Sequence, residues 1–210
     1  MREKRQDYID WDTTFLGVAA VMALRSKDPD TQNGACVVDG DHRVLSVGYN
    51  GLPRGMCDSV FSWDRQAPKR CDTKYPYMVH AEENAIDNCL RRERLHGATM
   101  YLYSAKGYPP CNECAKDIVN AGISRVVCAS LLVENTDEYD WTPTMRMFAS
   151  GGVRIVAVGS PVLILGFGAS PGRQPARGSQ MFERLSSELS RIAAMTRVIE
   201  EEQCQTGSTT

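Results

Sequence analysis

The chain has 210 residues, 24 Lys+Arg against 26 Asp+Glu, a formal net charge of −2, and 42% hydrophobic residues. That length and composition fit one domain with an appendage and exclude global disorder. Balanced charge disfavours a grip on long nucleic acid, which usually takes a basic excess, and points to a small-molecule partner.

Apolar residues at Trp11, Phe15, Val18, Ala19 and Met22 predict a helix over 11–25, with Asp10 as its N-cap and Ser26-Lys27-Asp28-Pro29 as its stop. Gly34–Val38 and Arg43–Gly48 read as two strands, with Asp39-Gly40-Asp41 as hairpin chemistry between them. Residues 51–78, with Gly51, Pro53, Gly55, Pro68 and Pro76, predict a loop whose length suggests function. A second helix is expected from His80 to Arg92, burying Ala81, Ala85, Cys89 and Leu90. Ala98–Tyr103 is a third strand. A third helix starts at Cys111, buries Ala115, Ile118 and Val119, and stops at Gly122. Arg125–Cys128 is a fourth strand. Thr142 reads as an N-cap before an N1 proline, Pro143, opening a helix that ends at Gly151-Gly152, and Val153–Val158 is a fifth strand. This order predicts a three-layer α/β/α domain over residues 1–160, with a mixed five-stranded sheet and helices on both faces.

Residues 161–210 read differently. A Gly-, Pro- and Ser-rich linker over 166–180 precedes Phe182, Leu185, Leu189, Ile192 and Ile199, the spacing of an amphipathic helix. That helix either packs on its own domain or makes a subunit contact. The apolar run Pro161–Phe167 is far short of a membrane span, and the charged start Met1–Asp7 lacks the apolar segment of a secretory signal. A soluble, cytoplasmic protein is expected.

Eight cysteines stand at 36, 57, 71, 89, 111, 114, 128 and 204. Without a secretory signal, one Cys-x-x-Cys favours metal over disulfides, while Cys36 and Cys128 lie in apolar runs and read as buried. The informative pair is His80-Ala81-Glu82 and, about thirty residues on, Pro110-Cys111-Asn112-Glu113-Cys114. One imidazole and two thiolates give zinc three protein ligands and leave the fourth position open, the mark of a catalytic site. His80 and Cys111 sit at expected helix starts, and Cys114 follows Cys111 by one turn, so the sulfurs share a side. Glu82 stands close enough to move protons without being a ligand. The order H-x-E…P-C-x-x-C is the general signature of zinc deaminases. A closed zinc staple, with Cys57, Cys71 or His96 as fourth ligand, or a redox dithiol would leave Glu82 and Pro110 without a role.

The sequence resembles the deoxycytidylate (dCMP) deaminases of the cytidine deaminase superfamily over about residues 11–158. The resemblance rests on Arg25–Pro29, Gly48–Gly55, Lys74–Ile86 and Pro110–Lys116. It implies hydrolytic deamination of dCMP to dUMP, feeding thymidylate synthesis, with Zn2+ on His80, Cys111 and Cys114 and Glu82 as proton shuttle. It further implies that Asn50 bonds the sugar hydroxyl, that backbone around Ala81 holds the pyrimidine edge, and that Arg25, Ser26 and Lys27 grip the 5′-phosphate. By the same resemblance a homo-hexamer is expected, with dCTP and dTTP as effectors, Mg2+ accompanying the allosteric nucleotide, and Gly48, Tyr49, Asn50 and Gly51 in the effector loop. Two positions depart from the family: Glu83 replaces a small or apolar residue, and Leu131-Leu132-Val133 stands where Asp-Lys-Tyr is usual, with Tyr139 six residues on. The second departure leaves CMP, dCTP or a modified dCMP as alternative substrates. A nucleic-acid-editing deaminase and an inactive zinc-stabilised scaffold are the remaining alternatives.

Overall fold

The computed structural model describes residues 2–4, 8–129 and 140–158. The linker and amphipathic helix expected beyond residue 160, Leu131-Leu132-Val133 and Tyr139 lie outside the described residues. The elements are α1 (Trp11–Ala23), β1 (Asn33–Val38), β2 (Val44–Tyr49), α2 (Ala81–Asp87), β3 (Thr99–Ser104), α3 (Asn112–Asn120), β4 (Arg125–Cys128), α4 (Thr142–Gly151) and β5 (Arg154–Ala157), with short 3-10 turns at Arg70–Asp72 and Arg92–Leu95. The sheet order is β2-β1-β3-β4-β5. β1 runs antiparallel to β2 and β3, while β3, β4 and β5 run parallel. This is the mixed α/β sheet that the element order predicts.

Side-chain alternation divides the core between two faces. Ala35, Val37, Met100, Leu102, Val126 and Cys128 project towards Ala81, Ala85, Ile86, Ala115 and Ile118 of α2 and α3. Phe15 of α1 packs on Tyr101 of β3 with ring centroids 5.2 Å apart, on the opposite face. Two glycines set how closely the helices approach. A Cβ on Gly34 would collide with the Ala19 carbonyl and the Ala23 nitrogen of α1, and one on Gly48 would collide with the Ala81 carbonyl and the Ala85 nitrogen of α2. Cys36 and Cys128 are buried as expected, and burial pushes the Cys36 thiol up to about 12.

Several boundaries move. Asp10 caps α1, its carboxylate accepting from the Thr13 amide at 2.8 Å. The second helix stops at Asp87, well before Arg92: Leu90 is 99% exposed, and Leu95, from the following 3-10 turn, takes the buried place. Thr142 is the first residue of α4 and not its cap, because the Asp140 carboxylate already accepts the Thr142 amide at 2.9 Å and Trp141 is the capping position. Gly48 and Tyr49 belong to β2 and not to a loop.

Register brings the functional segments to one end of the sheet. Asn33 at the start of β1 faces Ser104 at the end of β3, and Gly34 faces Tyr49 at the end of β2. The connections Arg25–Gln32, Asn50-Gly51 and Ala105–Cys111 therefore leave from that end. At the opposite end, where Arg125 of β4 faces Thr99 of β3, Asp12 in the first turn of α1 takes a two-pronged ion pair from Arg125 at 2.7 and 2.8 Å and a hydrogen bond from the Tyr101 hydroxyl. Arg125 holds the Asp12 carboxyl below the usual range.

Gly48→Ala is expected to cost about 1–3 kcal/mol, because the new methyl meets helix backbone that has no rotamer to yield. Gly51→Ala meets only the Tyr49 ring at 3.6 Å and should cost well under half as much. Urea unfolding of the two variants reads the difference.

Candidate active site

His80 is the N-cap of α2 and Cys111 the N-cap of α3. Each has extended backbone, which turns its side chain away from the helix axis and into the space between the two helix starts. Cys114 follows one turn into α3. The His80 Nδ1 lies 3.3 Å from Cys114 Sγ and 3.4 Å from Cys111 Sγ. All three donor atoms lie within 4.8 Å of one another. Ligands on a tetrahedral zinc, at bond lengths of about 2.0–2.3 Å, stand roughly 3.5 Å apart. The donor set and its spacing fit zinc. Among the described residues no fourth His, Cys, Asp or Glu joins the cluster, so Cys57, Cys71 and His96 do not form the closed staple. His80 is exposed while Cys114 is buried, so the cluster opens to solvent on the imidazole side.

The thiols are poised unequally. Cys111 is pushed down to about 4, chiefly by the hydrogen bond from Cys114, with further help from His80. His80 is raised to about 9, first through its hydrogen bond to Cys111. Cys114 is pushed up by its hydrogen bond to Cys111 and by burial. Metal binding at such a cluster displaces the protons of His80 and Cys114 and leaves two thiolates. Glu82 in the first turn of α2 is 4% exposed, and burial raises its carboxyl above the usual range, opposed by the nearby His80. A carboxyl whose proton affinity is raised by burial is suited to take up and release a proton, as a general acid/base must.

The other expected site residues are more heavily committed to the fold. The Ser26 hydroxyl donates to the Asn50 carbonyl at 2.8 Å and accepts from the Asp28 amide at 3.3 Å. The Asn50 side chain, 5% exposed, accepts from the Asn33 amide and donates to the Thr31 carbonyl. Lys27 pairs with Asp58, and the Arg25 guanidinium lies 5.6 Å over the Tyr49 ring. Ala81 is fully buried at the start of α2. Gly51 makes an isolated two-hydrogen-bond bridge with Val79, the residue before His80.

Sequence reasoning missed the supports around these groups. Asp28 and Lys74 form a buried ion pair at 2.6 Å, and Lys74 also reaches Asp30 at 3.0 Å. The Asp28 carboxylate also accepts the amides of Asp30 and Thr31. Thr144 of α4, fully buried, donates to the Pro110 carbonyl at 3.1 Å, just before Cys111. Asn84 and Asn88 of α2 donate to the carbonyls of Tyr49 and Val47. Only the four-residue spacing of the two asparagines was a visible signal, and spacing does not name a backbone partner.

The family profile described as "Cytidine and deoxycytidylate deaminase zinc-binding region" matches residues 9–130. The deoxycytidylate deaminase of Homo sapiens is 43% identical over 151 residues, covering 72% of this chain and 81% of that protein. The deoxycytidylate deaminase of Mycobacterium phage D29 is 38% identical over 130 residues, 56% of this chain and 93% of that one. Among solved structures, dCMP deaminase from the cyanophage S-TIM5, in complex with dCMP and dUMP, superposes with a TM-score of 0.52 at 21% identity, covering 69% of this chain and 94% of that chain. That likeness bears on the fold, and the fold agrees. On the sequence matches, this chain belongs to the cytidine and deoxycytidylate deaminase zinc-binding family.

Proposed function

We propose that the protein is a zinc-dependent enzyme that hydrolyses dCMP to dUMP and ammonia. The single observation carrying the chemistry is the three-donor cluster with a buried carboxyl two residues from its histidine. The substrate rests on 43% identity to a deoxycytidylate deaminase over 151 residues.

His80, Cys111 and Cys114 hold the zinc. The metal supplies a Lewis acid that makes water nucleophilic near neutral pH. Glu82 takes the proton of the attacking water and passes it to the pyrimidine ring nitrogen N3. Once the water oxygen has bonded to C4, Glu82 takes the proton that remains on that oxygen and delivers it to the exocyclic amine. The C4–N4 bond then breaks and ammonia departs, returning the carboxylate to its starting state. Burial favours the neutral form of Glu82, which eases each proton pick-up. Backbone around Ala81 meets the pyrimidine edge. The remaining Asn50 amide hydrogen and lone pair meet the sugar hydroxyl.

Arg25 and Lys27 are the cations offered to the 5′-phosphate, and Ser26 holds their segment to Asn50. A phosphate reaching Lys27 competes with Asp58, an exposed pair whose strength in water is small. The homo-hexamer, the dCTP and dTTP effectors and the accompanying Mg2+ belong to the same reading, with Gly51 and the residues before it as the effector-side segment. Gly48 acts there through α2, since its face is closed by helix backbone.

Glu82→Gln is expected to lower kcat by at least about 100-fold while zinc content stays near one per chain, since general acid/base groups contribute factors of this order. Cys111→Ser should lose zinc and activity together. Metal analysis beside an ammonia-release assay reads both, and Glu82→Gln with full activity overturns the mechanism. In a substrate panel, kcat/KM should fall in the order dCMP, then CMP, then deoxycytidine, with dCTP poor; equal values for dCMP and deoxycytidine would remove the phosphate grip. A sigmoidal dCMP curve should become hyperbolic on addition of dCTP with Mg2+. A curve indifferent to both nucleotides overturns the effector reading.

A further inference from the structure

Helix α2 has seven residues, and two of the four reacting-site side chains stand at its start. So short a helix does not persist on its own hydrogen bonds, so its position is set from outside. Its contacts with the sheet edge are unusually direct. The Gly48 face lets the backbone at Ala81 and Ala85 lie against β2. Asn84 then donates from its side chain to the Tyr49 carbonyl at 2.7 Å, and Asn88 to the Val47 carbonyl at 2.9 Å. β2 is the edge strand, so these carbonyls point away from β1 and find their partners on the helix.

The two asparagines differ in what else they hold. The Asn84 amide donates to the His80 carbonyl at 2.9 Å, the first hydrogen bond of α2. Asn84 therefore ties the end of β2 to His80 through one residue, with a side-chain bond on one side and a backbone bond on the other. The residue before His80, Val79, is itself bridged to Gly51 by two backbone hydrogen bonds of 2.9 and 3.1 Å. His80 is thus bracketed on both sides by the segment Tyr49–Gly51. Asn88 carries an equivalent bond to β2 but sits at the other end of the helix, where its amide reaches only back to Asn84 and Ile86.

We infer that Asn84 is a positioning residue for His80 and Glu82: its amide side chain seats the start of α2 on the Tyr49 carbonyl, fixing the imidazole against Cys111 and Cys114 and the carboxyl beside them. Its action is through the helix and not by contact with substrate. The catalytic part of this inference rests on the deaminase reading, whereas the metal part does not.

The test compares Asn84→Ala with Asn88→Ala in the full-length, zinc-loaded protein. Both lose a bond to an edge carbonyl, and Asn88→Ala also loses the hydrogen bond its side chain accepts from Arg54, so Asn88→Ala should lower the unfolding temperature at least as much as Asn84→Ala. Only Asn84→Ala should release zinc more readily, by about 10-fold in a chelator competition, and lower kcat for dCMP by a similar factor with KM within about twofold; supports of metal ligands typically act at 10–100-fold. Asn88→Ala should match the parent in zinc retention and in kcat per folded molecule. The isosteric Asn84→Asp keeps the volume, removes the donor and should behave as Asn84→Ala does, which covers the case where the alanine variant does not fold. Equal zinc retention and kcat in the Asn84 and Asn88 variants would overturn the inference, as would failure of both Asn84 variants to fold, which would assign the bond to folding alone. Should the parent protein bind zinc but not deaminate dCMP, the functional reading fails while the zinc-retention contrast still decides the role of Asn84.

Discussion

The close approach of α2 to the edge strand β2 is the contact on which the remaining geometry depends. A helix of two turns does not by itself hold His80 and Glu82 to a fraction of an ångström; the sheet does so for it. Gly48 supplies the absence of a side chain and the outward carbonyls of Tyr49 and Val47 supply acceptors. The same contact closes a sheet edge that would otherwise present unpaired carbonyls to solvent. One arrangement thus serves stability, solubility and the site.

The other half of the cluster is supported by comparable means from the opposite flank. Cys111 caps α3, and the Pro110 carbonyl before it takes a hydrogen bond from fully buried Thr144 of α4. The long connection between β2 and α2 is held in turn by the buried Asp28–Lys74 pair and by the Gly51–Val79 bridge. A charge pair so placed is favourable only when its remaining bonding capacity is met. Here Asp28 also accepts two backbone amides and Lys74 also reaches Asp30. The pair ties the Arg25–Lys27 segment to the strand of chain leading into His80. A loop with few regular elements can therefore carry positional information across the site.

The parts of the site that were legible in the sequence are those whose chemistry resides in side-chain identity. His80, Glu82, Cys111 and Cys114 are rare types at telling spacings, and the structure brings all four together. The sheet was legible because its strands are short apolar runs broken by glycine and turn residues. The end of α2 was not, because helical spacing extends the apolar face to Leu90, whereas the helix stops at Asp87 and Leu95 is the leucine that is buried. Asn84, Asn88 and Thr144 were invisible for a different reason: their partners are backbone carbonyls, and every residue has one. The Asp28–Lys74 pair was not legible, since charges 46 positions apart look like solvated surface until the fold brings them together. Gly48 read as a strand end and, by resemblance, as part of the effector loop; its close approach to α2 backbone is a tertiary contact that the sequence does not display.

Burial of Glu82 links these supports to reactivity. A carboxyl at the surface, free to hydrate, would stay ionised at neutral pH and pick up a proton reluctantly. Glu82 is 4% exposed, on the same short helix whose Ala81 and Ala85 backbone lies against Gly48, and it stands near Cys114 and Cys128. The cost of that burial appears as a raised carboxyl pKa, partly offset by His80. On the proposed deaminase reading, this buried position is the one from which a carboxyl would accept a proton from water and deliver it to a leaving amine. A side chain inserted between α2 and β2 would therefore displace the one short helix that carries both His80 at its cap and Glu82 in its first turn.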